Sequence, residues 1–479
     1  MAHGAATNIV WFRQDLRLAD QPALAAAAAA GPVLAVYVLD DTRFGGWPMG
    51  AAARWWLHHS LEALAGSLAK IGLTLVLRRG DPAVVIPALA AAAAAGVVHA
   101  GATHEPGWRK AEAAIGKALA KDGRRLALHR TSTLIDPEAV RSQTGTVYGM
   151  YTPFARAVEA RGEPDEPLPA PRCVSEAAVL PSDVLADWKL LPAHPDWAGG
   201  LRALWKPGEA PALARLKRFV ADAVDSYETG RNLPGVDGTS MLSPHLHFGE
   251  VSPRTVWQAS RVRGDGPDHH TYRRELIWRD FSAYLLWHHP SLPEVPLRPA
   301  FANLAWRDSR TDLLAWQRGQ TGVPIVDAGM RQLWQTGWMH NRVRMIAASF
   351  LVKHLLIDWR EGESWFWDKL VDADLASNAA SWQWIAGTGI DAQPFFRVFN
   401  PVTQGQRFDP DGAYVRRFVP ELARVGGKFV HAPWTAGEMD LMAAGVRLGR
   451  DYPRPLVDLA AGRIRALEVY RRTVKDAAA

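Results

Sequence analysis

Three stretches of this 479-residue chain set carboxylates, amides and indoles at helical spacing. In the first, Glu275, Trp278 and Arg279 fall at i, i+3 and i+4. In the second, Trp338, Asn341 and Met345 share a face, flanked by Arg342 and Arg344. In the third, Asp374, Asn378 and Trp382 fall at i, i+4 and i+8, provided the helix begins as early as Asp374. One polar residue on such a face is usually a satisfied core group. Three faces that each set a carboxylate or amide beside an indole describe a lined cavity. A fourth stretch, Gly238-Thr239-Ser240-Met241-Leu242-Ser243-Pro244, offers hydroxyls and free backbone N–H groups suited to a diphosphate. A plain helix cap or turn would look the same.

Composition narrows the chemistry. With 55 basic and 49 acidic side chains the formal charge is +6, which admits an anionic partner without requiring one. The single cysteine, Cys173, excludes internal disulfides, cysteine-rich zinc sites and cysteine-ligated iron–sulfur clusters, so no metal centre is expected. Tryptophan is the outlier. Of 21 in the chain, only Trp11, Trp47, Trp55, Trp56 and Trp108 precede Trp188. The later region therefore has either a large aromatic core or indoles used for stacking or redox work. No apolar run reaches membrane-span length, and no apolar leader precedes the strand-like IVWF, so a cytoplasmic location is expected.

The elements that must position these residues divide into two kinds. Strand-like runs at Asn8–Phe12, Val33–Leu39, Leu73–Leu77, Val97–Ala100 and Arg125–Leu128 alternate with alanine-rich helical stretches at Pro22–Ala30, Ala51–Lys70, Pro82–Ala95 and Arg109–Lys121. Such alternation predicts a doubly wound parallel sheet with helices on both faces, over residues 1–135. Proline-rich residues 136–211 are expected to form an interdomain linker. Residues 212–479 are expected to be all α, with helices at Ala212–Tyr227, Pro253–Ser260, Thr271–His288, Asp312–Gln317, Asp327–Gln335, Asn341–Asp358, Gly362–Val371 and Ser377–Ile385. The usual phosphate-cradling signatures are absent from the α/β part. Gly387-Thr388-Gly389 follows a helix and not a strand, so it is not taken as a dinucleotide fingerprint.

The stretches GTSMLSPHLHFGEVSPR, RRELIWRDF, GWMHNRVRMIAASFL and DADLASNAASWQWIAGTGIDAQPFFRVFNP closely resemble the photolyase/cryptochrome flavoproteins, as does the N-terminal IVWFRQDLRLAD. The resemblance runs in order over nearly the whole chain. It implies FAD in the helical domain and an antenna chromophore in the α/β domain. Carried over by motif, Tyr227, Thr239, Ser240, Leu242 and Ser243 would hold the FAD diphosphate region. Arg279, Asn341, Arg344, Asp372, Asp374 and Asn378 would surround the rest. Trp382, Trp359 and Trp306 match the family's electron relay from flavin to surface, which requires Trp306 to be exposed. Trp278 and Trp384 match residues that stack on a flipped-out pyrimidine dimer. Glu275 would hydrogen-bond its carbonyls, with Asn341 and Met345 lining the pocket and Arg231, Arg342 and Arg397 gripping phosphates.

The resemblance therefore implies light-driven repair of cyclobutane pyrimidine dimers in UV-damaged DNA by a monomer needing no obligate protein partner. The alternatives are a cryptochrome-type blue-light photoreceptor and a DNA-binding flavoprotein that has lost activity. An amide at Asn378 cannot give up a proton as a carboxylic acid can, so it favours a fully reduced flavin and hence repair. Enzymes acting on the (6-4) lesion have histidines where this chain has Asn341 and Met345, and their bacterial branch carries an iron–sulfur cluster that one cysteine cannot ligate. Two features depart from the family pattern. Tyr272 stands where many relatives have tryptophan. The loop Thr103–Lys110 lacks the Asn-Glu pair of the common folate site, although Ala53–Leu64 resembles relatives that bind methenyltetrahydrofolate through other contacts. That folate is the expected antenna, with a deazaflavin as the alternative.

Overall fold

The computed structural model describes residues 6–41, 47–177 and 180–475, so the start of the chain before Ala6 lies outside them. Five strands, β1 (Thr7–Phe12), β2 (Val33–Leu39), β3 (Leu75–Arg79), β4 (Ala95–Gly101) and β5 (Arg125–His129), form one parallel sheet in the order β3-β2-β1-β4-β5. Val10 lies opposite Ala35 on one side and His99 on the other. Every residue of β2, VLAVYVL, is buried, as a strand covered on both faces must be. The covering helices are α1 (Pro22–Ala30), α2 (Ala51–Lys70), α3 (Pro82–Ala92) and α4 (Pro106–Lys121). Their starts are written locally: the Asp81 side chain accepts from the Ala83 amide while Pro82 opens α3, and Gln21 and Pro22 do the same for α1.

Where sequence and structure differ, a specific bond decides. The third strand begins at Leu75 and not Leu73, because the Leu73 amide bonds to the Leu68 carbonyl and completes the C-terminal turn of α2. Residues 136–211 are more than a connection. Helix α5 (Tyr151–Glu159) buries Tyr151, Phe154, Ala155 and Val158 on the helix Pro267–His288, and Gly199–Leu204 is helical too. The next helix, Glu209–Asp222, starts before Ala212 and ends before Tyr227. The helix expected over Asn341–Asp358 runs only to Ser349. It passes into a π turn at Phe350–His354, breaks at Leu356 (φ 56°), and Asp358 caps a new helix, Trp359–Lys369.

The two halves are joined by buried polar contacts. The Leu16 amide donates to the Phe248 carbonyl (3.1 Å), and the Arg17 guanidinium, 2% exposed, donates to Gly249 O, Asp20 O and Thr131 O. Glu250 accepts from Trp56 Nε1 (3.0 Å) and the Gly208 amide (2.7 Å), and the Glu209 carboxylate accepts the amides of Leu18 and Ala19. Gly249 has φ 66°, and a Cβ there would overlap the Gln14 carbonyl. Gly249→Ala is therefore expected to lower stability by about 2 kcal/mol or more, from positive-φ strain and a separated interface. The apparent Tm measures it. An unchanged midpoint would mean that the halves do not need this close approach.

Candidate functional site

The 22-residue helix Pro267–His288 is buried over most of its length, and Glu275, Trp278 and Arg279 form a half-buried interruption. Glu275 pairs with the guanidinium of Arg231. Burial pushes its carboxyl above the usual range, and Arg231 opposes that only in part. The Trp278 ring lies flat on Tyr151, centroids 3.5 Å apart at an interplanar angle of 5°. Arg342 reaches the same place from the helix Asn341–Ser349. It donates to the Asn232 side-chain oxygen, lies 3.8 Å from the Met345 sulfur and covers the Phe408 ring at 4.4 Å. Arg231, Glu275, Arg342 and Met345 are thus brought together, while Asn341 opens its helix exposed to solvent. Trp338 precedes that helix and does not share its face with Asn341 and Met345. Its indole N–H instead donates to Ser243 Oγ (3.2 Å).

The helix Leu375–Ala386 packs against both of these helices. Asp374 does not belong to it, contrary to the i, i+4, i+8 reading. It is the N-cap, and its carboxylate accepts the Ser377 amide at 2.8 Å. Asn378 Nδ2 donates to the Glu363 carbonyl (3.0 Å), which leaves the amide oxygen as a free acceptor on the other side. Arg344 donates to Met339 O (2.7 Å) and to Asp372 Oδ2 (2.8 Å); Asp372 Oδ1 is buried with no partner. Nearby, Tyr227 and Tyr272 meet edge to face at 5.0 Å, and the Tyr272 hydroxyl bonds Ser240. The Leu242 amide approaches Ser240 Oγ at 3.4 Å, and Met241 between them adopts φ 50°. Thr239 is half-buried beside Gly238, where a Cβ would overlap the Gly230 backbone. Arg279 spends its guanidinium on the carbonyls of Ser132 and Leu246.

The three tryptophans expected to form a relay differ in burial. Trp382 (3% exposed) packs against Phe366 and Trp316, with ring centroids 5.0 and 6.3 Å away, and Gly362 leaves room for its ring. Trp359 is fully buried, and its N–H has no partner. Trp306 is half-buried at the margin of two apolar clusters, so the exposure expected of it is only partial. Trp384 is half-buried beside the cluster that Met345 also borders. Arg397 lies apart on an exposed loop whose carbonyl is held by the buried Lys353 (3.0 Å).

Sequence reasoning passed over Tyr151, Asn232 and Glu363. Tyr151 lies in the segment taken as linker, and Asn232 follows a helix of four residues, so neither carried a signal. Glu363 did carry one: it falls on the apolar stripe Trp359, Glu363, Phe366. Its two carboxylate oxygens are buried without partners, and burial holds its pKa well above the usual range. A second cavity opens where the strand order reverses between β1 and β4. Arg13, Gln14, Glu105 and Trp108 line it from the sheet side, and His247, Phe248 and Trp367 from the helical side. Burial, with Asp374 nearby, pushes Glu105 up to about 7. The loop without the Asn-Glu pair still supplies three of the lining residues, Thr103, Glu105 and Trp108.

Comparison with known proteins finds relatives along nearly the whole chain. Residues 8–172 match the DNA photolyase family, and residues 272–472 match the FAD binding domain of DNA photolyase. The deoxyribodipyrimidine photo-lyase of Agrobacterium fabrum is 47% identical over 99% of this chain and 100% of its own. Cryptochrome-1 of Arabidopsis thaliana is 36% identical over 96% of this chain and 70% of its own. The crystal structure of a bacterial class III photolyase from Agrobacterium tumefaciens superposes with a TM-score of 0.96 at 47% identity, covering 99% of each chain.

Asp374 gives this site a pH signature. Burial alone would raise its pKa, but His247, 3.8 Å away, with the nearby His104 and Arg279, outweighs burial and holds it far below the ordinary value of 3.8. Asp374→Asn keeps a capping oxygen and removes the charge. It should cost about 1–3 kcal/mol at pH 7. A depressed folded pKa stabilises above the unfolded value, so the difference should shrink as pH falls below 3.8. Urea titrations of both chains across pH 3–7 test this; a difference independent of pH would contradict it.

Proposed function

The chain belongs to the DNA photolyase family, and we propose from that premise that it is a light-driven lyase that splits cyclobutane pyrimidine dimers in DNA. The observation that carries the reading is the half-buried Glu275, paired with Arg231 on the helix that also presents Trp278; a second, separate feature is the buried Asp372 Oδ1, left without a donor. FAD fits that second feature. Asp372 Oδ1 needs a hydrogen-bond donor, Asn378 offers an acceptor with no proton to give, and the Gly230–Gly238 contact lets the backbone before Thr239 and Ser240 fold tightly. Arg279, Asn341, Arg344, Asp372, Asp374 and Asn378 would hold it, with Tyr227, Thr239, Ser240, Leu242 and Ser243 at the diphosphate. Bound and reduced, FAD supplies the photoexcited electron that opens the dimer's cyclobutane ring and then returns.

The remaining work falls to side chains. Trp278 and Trp384 would replace, on their free faces, the stacking that an extruded dimer loses in the duplex. Glu275, its pKa raised by burial, would place a shared proton at a base carbonyl as negative charge develops there. Arg231, Arg342 and Arg397 would bind flanking phosphates. Trp382, Trp359 and Trp306 would connect the buried site to the protein edge.

We assign the second cavity to a light-harvesting chromophore, methenyltetrahydrofolate, with a deazaflavin as the alternative. Its support is a lining that includes the Trp108 and Trp367 indoles, together with a Glu105 carboxyl that burial pushes up to about 7. No helix among the described residues is long and apolar enough to cross a membrane.

Incubation of reduced chain with thymine-dimer DNA tests the lyase reading. Dimers should disappear under blue light and persist in the dark, and equal dimer content in both would reject it. Glu275→Ala should lower repair per absorbed photon about tenfold, about 1.4 kcal/mol of lost charge stabilisation. Trp306→Phe should instead leave repair by chemically reduced chain intact while abolishing photoreduction of the oxidised chain, as followed by flavin absorbance.

A further inference from the structure

Helix α2 carries a group of donors that neither cavity uses. His58 Nε2 lies 3.4 Å from Glu62 Oε1, and His59 Nδ1 lies 2.9 Å from Glu62 Oε2. All three ligand atoms fall within 4.8 Å of one another. We propose that His58, His59 and Glu62 form a binding site for a divalent transition ion of the zinc type.

Tetrahedral zinc with donors at about 2.0–2.1 Å sets the donors roughly 3.3–3.4 Å apart. His58 meets one Glu62 oxygen at 3.4 Å and His59 the other at 2.9 Å, and with one oxygen per ligand the three donor atoms lie within 4.8 Å of one another, so a small shift of the exposed Glu62 side chain is needed to bring a single oxygen to that spacing from both imidazoles. Neighbouring residues on a helix diverge by about 100°. The two rings nevertheless converge, because His58 reaches with its distal nitrogen and His59 with its proximal one. Both rings are held in place before any ion arrives. His58 is 8% exposed and meets His59 edge to face at 5.2 Å, while His59 meets the buried Trp55 edge to face at 4.9 Å. The Glu62 side chain is 56% exposed, which gives the ion an entry path. Two imidazoles and one carboxylate suit zinc, copper or nickel better than calcium or magnesium, and three protein donors leave a fourth position for water.

The test uses flavin-loaded full-length chain, stripped with a chelator and titrated with Co²⁺ as a spectroscopic probe. One Co²⁺ per chain should give the visible absorption of four-coordinate cobalt, and Zn²⁺ but not Mg²⁺ should discharge it. Glu62→Gln and His59→Ala should each weaken binding at least about tenfold, and His270→Ala, remote from the site, should not. The absence of the cobalt band, or equal affinity in Glu62→Gln, His59→Ala and the parent chain, would overturn the proposal.

Discussion

A carboxylate taken out of water must be given donors, and around the helix Leu375–Ala386 this chain withholds some of them. Asp372 has Arg344 on one oxygen and nothing on the other, and Glu363, with nothing on either, is driven by burial toward its protonated, neutral form. An unpaired buried polar group costs about 1–3 kcal/mol. The surrounding elements hold that cost in place: Asp374 caps the helix, Asn378 is tied to the Glu363 carbonyl, and Gly362 makes room for Trp382. A polar ligand that donates to Asp372 Oδ1 would relieve part of that cost, and the FAD assignment depends on it.

The sheet domain contributes more than support. Asp374 faces two ways. It is held ionised by His247, which itself lines the cavity at the ends of β1 and β4, and by Arg279, and its charge helps raise Glu105 in that same cavity. The two proposed chromophore sites therefore share one electrostatic wall. Gly249, Glu250 and Arg17 fix the halves so that this wall cannot slide.

Much of this architecture was legible because it is written in local patterns. Short strand-like runs gave β1, β2, β4 and β5, and the alanine-rich stretches expected from Pro22 and Pro82 begin where α1 and α3 do. The exceptions come from contacts distant in sequence or from competing local bonds. Leu73 is apolar enough for a strand, yet a turn bond to Leu68 claims it. Tyr151 is one aromatic in a proline-rich stretch, and only its stack on Trp278, more than a hundred residues away, gives it a place. Within the site, residue types at helical spacing exposed Glu275, Trp278, Asn378 and Trp382. They could not tell that Asp374 caps its helix or that Trp338 lies outside one.

The central claim is that the helical half is built around FAD, and it is tested most directly by the flavin content of the purified chain with and without the Asp372 carboxylate. The account predicts a yellow protein carrying one FAD per chain and, for Asp372→Ala, a folded protein that has lost most of its flavin. A colourless parent chain, or full flavin retention in the variant, would contradict it.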